Sequence, residues 1–282
     1  MKKLFIFAIA AVSLLSCSDD NKELIYSDEI SFNVEYPSVQ TRATSTQFEA
    51  GDKVGVFLTD VNKPLEIIGN YLNNVPLEYN GSKWSTSSKF YWNEGTYNAY
   101  AYYPYDMDVS SVDNHVFNVA LDQSTDKGYE QSDFLWATVK NVSASDAGIQ
   151  FQMQHKMSRV MIHLVKGEGY EGEIPDDAEL YIHNTVPSST IDLSVGYPTK
   201  QAKGNVQTIH AKKLSNGIYT AIIVPQRIDN RVPLVEIIAG EVSYLYECKF
   251  QFKTGVQHNL NLVISKNPEQ IKIELGGEIV GW

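Results

Sequence analysis

Period-2 alternation dominates the chain from residue 29 onward, and it restricts the fold more than any other feature. Ile30, Phe32, Val34 and Tyr36 alternate with Glu29, Ser31, Asn33 and Glu35. Side chains of a strand point to opposite faces in turn, so such a run has one buried and one wet face. Similar runs are expected at 53–58, 90–92, 97–103, 133–139, 149–155, 159–165 and 179–183. More follow at 190–195, 218–224, 234–238, 242–252, 258–264 and 270–275. Turn signals separate them. Asn80-Gly81 and Asn216-Gly217 read as two-residue hairpin turns, where glycine supplies a positive φ. No segment past residue 25 keeps a 3.6-residue apolar period for three turns. The expected class is all-β, with many short strands packed as sandwiches. The polar stretch 141–148 and the Gly- and acid-rich loop 166–179 flank a new set of hairpins. They place a boundary near 155–158, giving sandwich domains over 28–156 and 157–282.

The N-terminus has a different pattern. Lys2 and Lys3 precede an apolar run from Leu4 to Leu15, broken only by Ser13. A membrane-spanning helix needs about 20 apolar residues, so this run is short for one and reads as an export signal over 1–16. It ends in Leu15-Ser16-Cys17, the pattern of a bacterial lipobox, in which the cysteine is lipidated. Residues 17–27 open polar and acidic, which resembles the tether of outer-membrane lipoproteins; the alternative is an ordinary signal peptide cut nearby, with Cys17 incidental. The other cysteine, Cys248, lies on an aromatic strand face with Tyr244, Tyr246, Phe250 and Phe252, which suits an inert buried thiol.

Composition removes several function classes. Lys and Arg number 23 against 34 Asp and Glu, a net charge of −11. Phosphate contacts need clustered cations, so no nucleic-acid partner is expected. Two cysteines preclude a disulfide framework or a cysteine zinc cluster. The six histidines lack metalloprotease spacing, and no metal or cofactor is expected. Gly167-Glu-Gly169-Tyr-Glu-Gly172 matches a dinucleotide fingerprint in spacing, but Glu173-Ile-Pro175 follows where a phosphate-holding helix should start. No catalytic residues are assigned. The densest feature, 90–105, carries eight aromatics. Tyr97 and Tyr103 lie on one strand face and Tyr100 and Tyr102 on the other, which favours a central core strand over an exposed sugar-stacking platform.

Eight segments in order resemble the fimbrillin family of Bacteroidales lipoprotein pilins. They are Leu15-Ser16-Cys17; Ile30-Ser-Phe32 with Thr41-Arg42-Ala43; Phe48 to Phe57; and Tyr100-Ala-Tyr-Tyr-Pro104-Tyr105. Asp133-Phe-Leu-Trp136-Ala137, Phe151-x-Met-x-His155-Lys-Met-Ser-Arg159, Ile222-Ile-Val-Pro225-Gln226 and the closing Trp282 complete the set. The resemblance implies two tandem transthyretin-like β-sandwich domains and a non-catalytic fimbrial subunit supporting adhesion at the cell surface. It implies export as a lipoprotein through Cys17 and proteolytic processing between Arg42 and Ala43. The first strand would leave with the lipid, and the vacated groove would accept a strand from another subunit. Partners would be other fimbrial subunits and the outer membrane. The alternative is a non-polymerising surface lipoprotein that binds a glycan or host protein. At the other end, Ile271, Ile273 and Leu275 alternate with Lys272 and Glu274. This segment is either a donor strand or a strand that closes its own domain.

Overall fold

The computed structural model describes residues 28–37, 47–144, 146, 148–267 and 271–282. These form an all-β molecule of five sheets with one short helix.

The largest sheet has six strands. Its centre is β2 (Lys53–Asp60), flanked by β3 (Leu72–Tyr79) and β5 (Tyr97–Tyr103). β4 (Trp84–Ser85) extends it beyond β3; β7 (Leu135–Val142) and β9 (Gln154–His155) extend it beyond β5. β5 is covered on both sides. Tyr97, Ala99 and Ala101 join one apolar cluster, while Tyr100 and Tyr102 join a second. The aromatic segment is therefore core, as the two-faced pattern of 97–103 implies.

The first cluster is closed by a two-stranded parallel sheet of β1 (Phe32–Glu35) and β8 (Ile149–Gln152). On the other face lies a three-stranded sheet, β13 (Tyr197–Lys200), β12 (Ser188–Asp192) and β6 (His115–Asn118). The second half adds a sandwich. One layer is β14 (Gln207–His210), β11 (Glu179–Thr185), β17 (Gln226–Ala239) and β18 (Val242–Phe252). The other is β15 (Lys212–Ser215), β16 (Ile218–Ile223), β10 (Ser158–Lys166), β19 (Val256–Ile264) and β20 (Lys272–Val280).

Packing runs across the expected boundary. β6 pairs with β12, and Phe117, Phe134 and Trp136 share a cluster with Leu180, Ile191 and Leu193. Gln123 is fully buried and pairs like a strand residue: its amide donates to the Ile222 carbonyl at 2.7 Å and accepts from the Ile222 N–H at 2.8 Å.

Two local expectations need adjustment. The turn after β3 is not two residues long. Tyr79 pairs with Trp84, leaving a four-residue loop in which the Asn80 side chain accepts from the N–H groups of Ser82 and Lys83. That side chain takes over the role of a turn backbone. The helix α1 (Asp126–Glu130) was not foreseen, because five residues carry no period. It starts at a Thr125 cap that accepts from the Gly128 N–H at 3.1 Å. Gly128 is required there, since a Cβ would lie 2.0 Å from the Asp122 carbonyl oxygen. The loop 167–172 has positive φ at Gly169 and Gly172 and leads into no helix.

Candidate functional site

β1 sits in a slot rather than on a surface. On one side it runs parallel to β8, with the Ile149 N–H donating to the Ser31 carbonyl at 2.9 Å and the Met153 N–H to Glu35 at 3.1 Å. On the other side the Trp84 indole N–H donates to the Val34 carbonyl at 2.9 Å, and Ile30 N–H donates to Phe90 at 2.8 Å. Ile30 and Val34 are buried, and Phe32 and Tyr36 are partly buried against the same cluster. Ile149 and Phe151 beneath them are inaccessible to solvent. The strand thus supplies the side chains that close this core, while Glu29 before it and Glu35 at its end stay in water.

Where β1 ends, the two halves of the chain meet in a cavity of about 210 Å³. Tyr36, Phe48, Asp52, Tyr103, Asp133 and Trp282 stand around it. The Tyr36 hydroxyl donates to Asp133 at 3.0 Å. The same carboxylate pairs with Nδ1 of His155 at 2.9 Å. The His155 ring lies flat on the Trp282 indole, with centroids 3.7 Å apart and planes 9° off parallel. The Arg159 guanidinium carbon lies 4.0 Å from the indole centroid, and its Nε donates to Gln257 at 2.6 Å. Tyr103 donates to Asp52 at 3.1 Å, and burial, followed by the charge of Asp52, holds its phenol well above the ordinary range.

This junction gathers residues from six separate sequence segments: Tyr36, Asp52, Tyr103, Asp133, His155 with Arg159, and Trp282. All but Tyr36 lie in segments that carry the resemblance. Their convergence was not foreseen, since nothing in their spacing brings 36, 133, 155 and 282 together. The arrangement positions and locks. Two carboxylates are held by tyrosines, and no group is poised as a nucleophile against a base.

Other expected positions fall as follows. Cys17, Arg42 and Ala43 lie outside the described residues. Ile273 and Leu275 are in β20, which pairs antiparallel with β19 of the same chain; Ile271 immediately precedes it. Cys248 is half-buried, and burial pushes its thiol up to about 11, which makes it a poor nucleophile. Among the described residues, no cluster of His, Cys, Asp or Glu could hold a metal, and no helix is long and apolar enough to cross a membrane.

Comparison with known proteins places this architecture. A family model described as fimbrillin-like matches residues 41–282. A protein of Bacteroides ovatus described as a fimbrium tip subunit is 28% identical over 144 residues, 45% of this chain and 26% of that protein. The chain therefore matches about a quarter of that relative's length. A solved structure from Bacteroides uniformis, described as a cell adhesion protein, superposes with a TM-score of 0.68 at 16% identity, covering 90% of this chain and 99% of that one. The tip fimbrial protein Mfa3 from Porphyromonas gingivalis superposes with a TM-score of 0.52 at 7% identity, covering 90% of this chain and all of the other. At such identities the superpositions speak for the fold, while the family match spans most of the sequence: the chain belongs to the fimbrillin-like family.

Proposed function

We propose that this protein is a non-catalytic subunit of a surface fimbria, exported as a lipoprotein through Cys17 and assembled by strand exchange with other fimbrial subunits. In this reading it is tethered first to the outer membrane and then cut after Arg42. The cut separates β1 and the lipid from Ala43 and the domains beyond. The slot between β8 and Trp84 then receives an extended segment from a neighbouring subunit, by main-chain pairing with alternate side chains in pockets. The segment containing Ile271, Ile273 and Leu275 is the candidate donor.

The observation that carries the reading is the seat of β1. The strand is joined to the core by backbone bonds on both edges and by Ile30 and Val34, and the sequence links it to the domain only through residues 38–46. A parallel strand pair needs no local hairpin, so a strand of the same pattern from another chain fits the same slot. The aromatic segment 90–105 lends no support to a glycan platform, because Trp92, Tyr97, Tyr100 and Tyr102 are interior.

Limited trypsin treatment of the purified chain tests the reading. The expected result is a new N-terminus at Ala43, followed by ladders that survive mild SDS. Arg42→Ala is expected to give neither. A chain that is cut at Ala43 yet stays monomeric, under conditions where related pilins polymerise, rules out assembly by this route.

A further inference from the structure

We infer that Trp282 is a latch holding the C-terminal strand β20 in place, and that Tyr36 at the end of β1 keeps the latch closed. The purpose of the device rests on the strand-exchange reading above; the coupling itself does not.

Beyond its ladder with β19 and the Lys253–Glu278 ion pair, β20 is lightly covered along its length. It is the edge strand of its sheet, with a partner on one side only. Its register pairs Leu275 with Leu260 and Ile273 with Leu262, so both point toward the sandwich interior. Yet Leu275 is 76% exposed. A groove lined by Tyr246, Cys248 and Phe250 faces Ile273 and Leu275 without closing over them. Ile279 is partly buried and Val280 is 81% exposed. Trp282 alone, at 2% exposure, is fully anchored. Edge strands with so little burial open at low cost, so the end anchor decides whether this one stays down.

That anchor is seated on groups that β1 controls. Trp282 lies between the His155 ring and the Arg159 guanidinium. His155 keeps its orientation through Asp133, and Asp133 takes its second hydrogen bond from the Tyr36 hydroxyl. The Tyr36 ring stands edge-on to His155 at 5.6 Å, between it and Phe48 at 5.1 Å. Removing β1 takes away the donor to Asp133 and one wall of the cavity beside the indole. The buried indole N–H finds no acceptor among the described residues, so its seat carries a polar penalty that packing must exceed. A seat balanced in this way responds to the loss of one supporting side. The order of events follows. While β1 is present, β20 stays docked on its own chain; once β1 leaves, β20 becomes free to pair elsewhere. Premature pairing between uncut subunits is thereby suppressed.

Amide hydrogen exchange on the uncut chain, followed by mass spectrometry of the peptide covering 271–282, tests the coupling. Tyr36→Phe removes one hydroxyl and leaves the ring. It is expected to speed exchange in 271–282 about five-fold, while β8 and β10 keep their protection. Trp282→Ala should speed the same peptide more, and adding Tyr36→Phe to it should change nothing further. Trp282→Phe replaces the alanine variant if that one does not fold. Equal exchange of 271–282 in wild type and Tyr36→Phe overturns the inference, as does an undiminished Tyr36→Phe effect once Trp282 is gone. Neither readout needs cleavage or polymer. Failure of the trypsin ladder assay alone would remove the assembly role and leave the latch standing.

Discussion

Truncating Gln123 removes both sides of a strand-like pairing at once. Its amide satisfies the N–H and the carbonyl of Ile222 from a loop in the other half of the chain, with no solvent to replace it. Gln123→Ala is expected to cost about 2–4 kcal/mol, since two buried backbone groups lose their partner. The shift of the urea midpoint measures it. His258 gives a pH signature of its own. Its Nε2 accepts from the Lys253 N–H at 3.2 Å, so the ring sits neutral with its other nitrogen toward Glu278 at 3.3 Å. Phe250 and Phe252 pack on the ring. Burial lowers its pKa below 6.5, against the partial opposition of Glu278. The unfolded chain therefore takes the proton first. The contribution of His258 is fully present above pH 6.5 and is lost as pH falls through its folded value. His258→Asn should flatten the decline of stability in the window just below that pH, as read by thermal melts. An unchanged slope would mean that another group, such as the similarly depressed His115, carries the dependence.

Among the elements, β1 makes the sharpest prediction. A chain beginning at Gln47 lacks Ile30 and Val34, each worth about 1.5–3 kcal/mol when fully buried. It also leaves the Trp84 indole without its acceptor. The truncated protein should melt well below the intact one and bind a hydrophobic dye. A synthetic peptide of residues 28–37, added in excess, should restore much of the lost stability by mass action. No rise in melting temperature with peptide would mean that the slot collapses when empty. The element scale also separates what was legible in the sequence from what was not. β5 and β18 were readable to the residue, because alternation, or aromatic filling of both faces, marks a strand held between partners or turns. β6, β13, β14 and β15 were not foreseen. Each is only four residues long, too short to show a period, and owes its state to its partner: β6 to the distant β12, where His115 faces Ile191, β14 to β11, and β13 and β15 to the hairpins they form with β12 and β16. β17 begins eight residues earlier than its apolar run 234–238 suggests, because Gln226 to Ile228 pair with Phe250 to Phe252 beyond an exposed irregularity at 229–231 that interrupts the pattern. At the site, Asp133, His155, Arg159 and Trp282 stood within recognisable segments. Their meeting point depends on tertiary distance, which spacing does not encode.

At the scale of the whole molecule, the question is whether residues 28–156 and 157–282 behave as two folding units. The chain turns from β9 to β10 at the boundary, which suits two units. The packing is against independence. Ile191 and Leu193 belong to the second half in sequence, yet they share a cluster with Phe117, Phe134 and Trp136 from the first. The Trp136 indole N–H donates to the Leu193 carbonyl at 2.7 Å. Gly196 lies so close to Trp136 that a Cβ would approach the ring to 2.3 Å. β12 would lose β6 as a partner, and Ile222 would lose Gln123. A fragment of 157–282 would therefore expose several large apolar groups together with unpaired backbone, a combination that costs more than a typical margin of stability. The expectation is that this fragment expressed alone is aggregated or loosely packed, with poorly dispersed amide resonances. The intact chain should unfold in one cooperative transition by circular dichroism and by tryptophan fluorescence. Two separate transitions, or a well-dispersed spectrum from the isolated fragment, would establish independent domains and reduce the shared cluster to a docking surface. One transition, with neither half folded alone, would mean that the junction around Trp136 and Trp282 is part of the core. Loss of β1 would then be felt in both halves through the same packed residues.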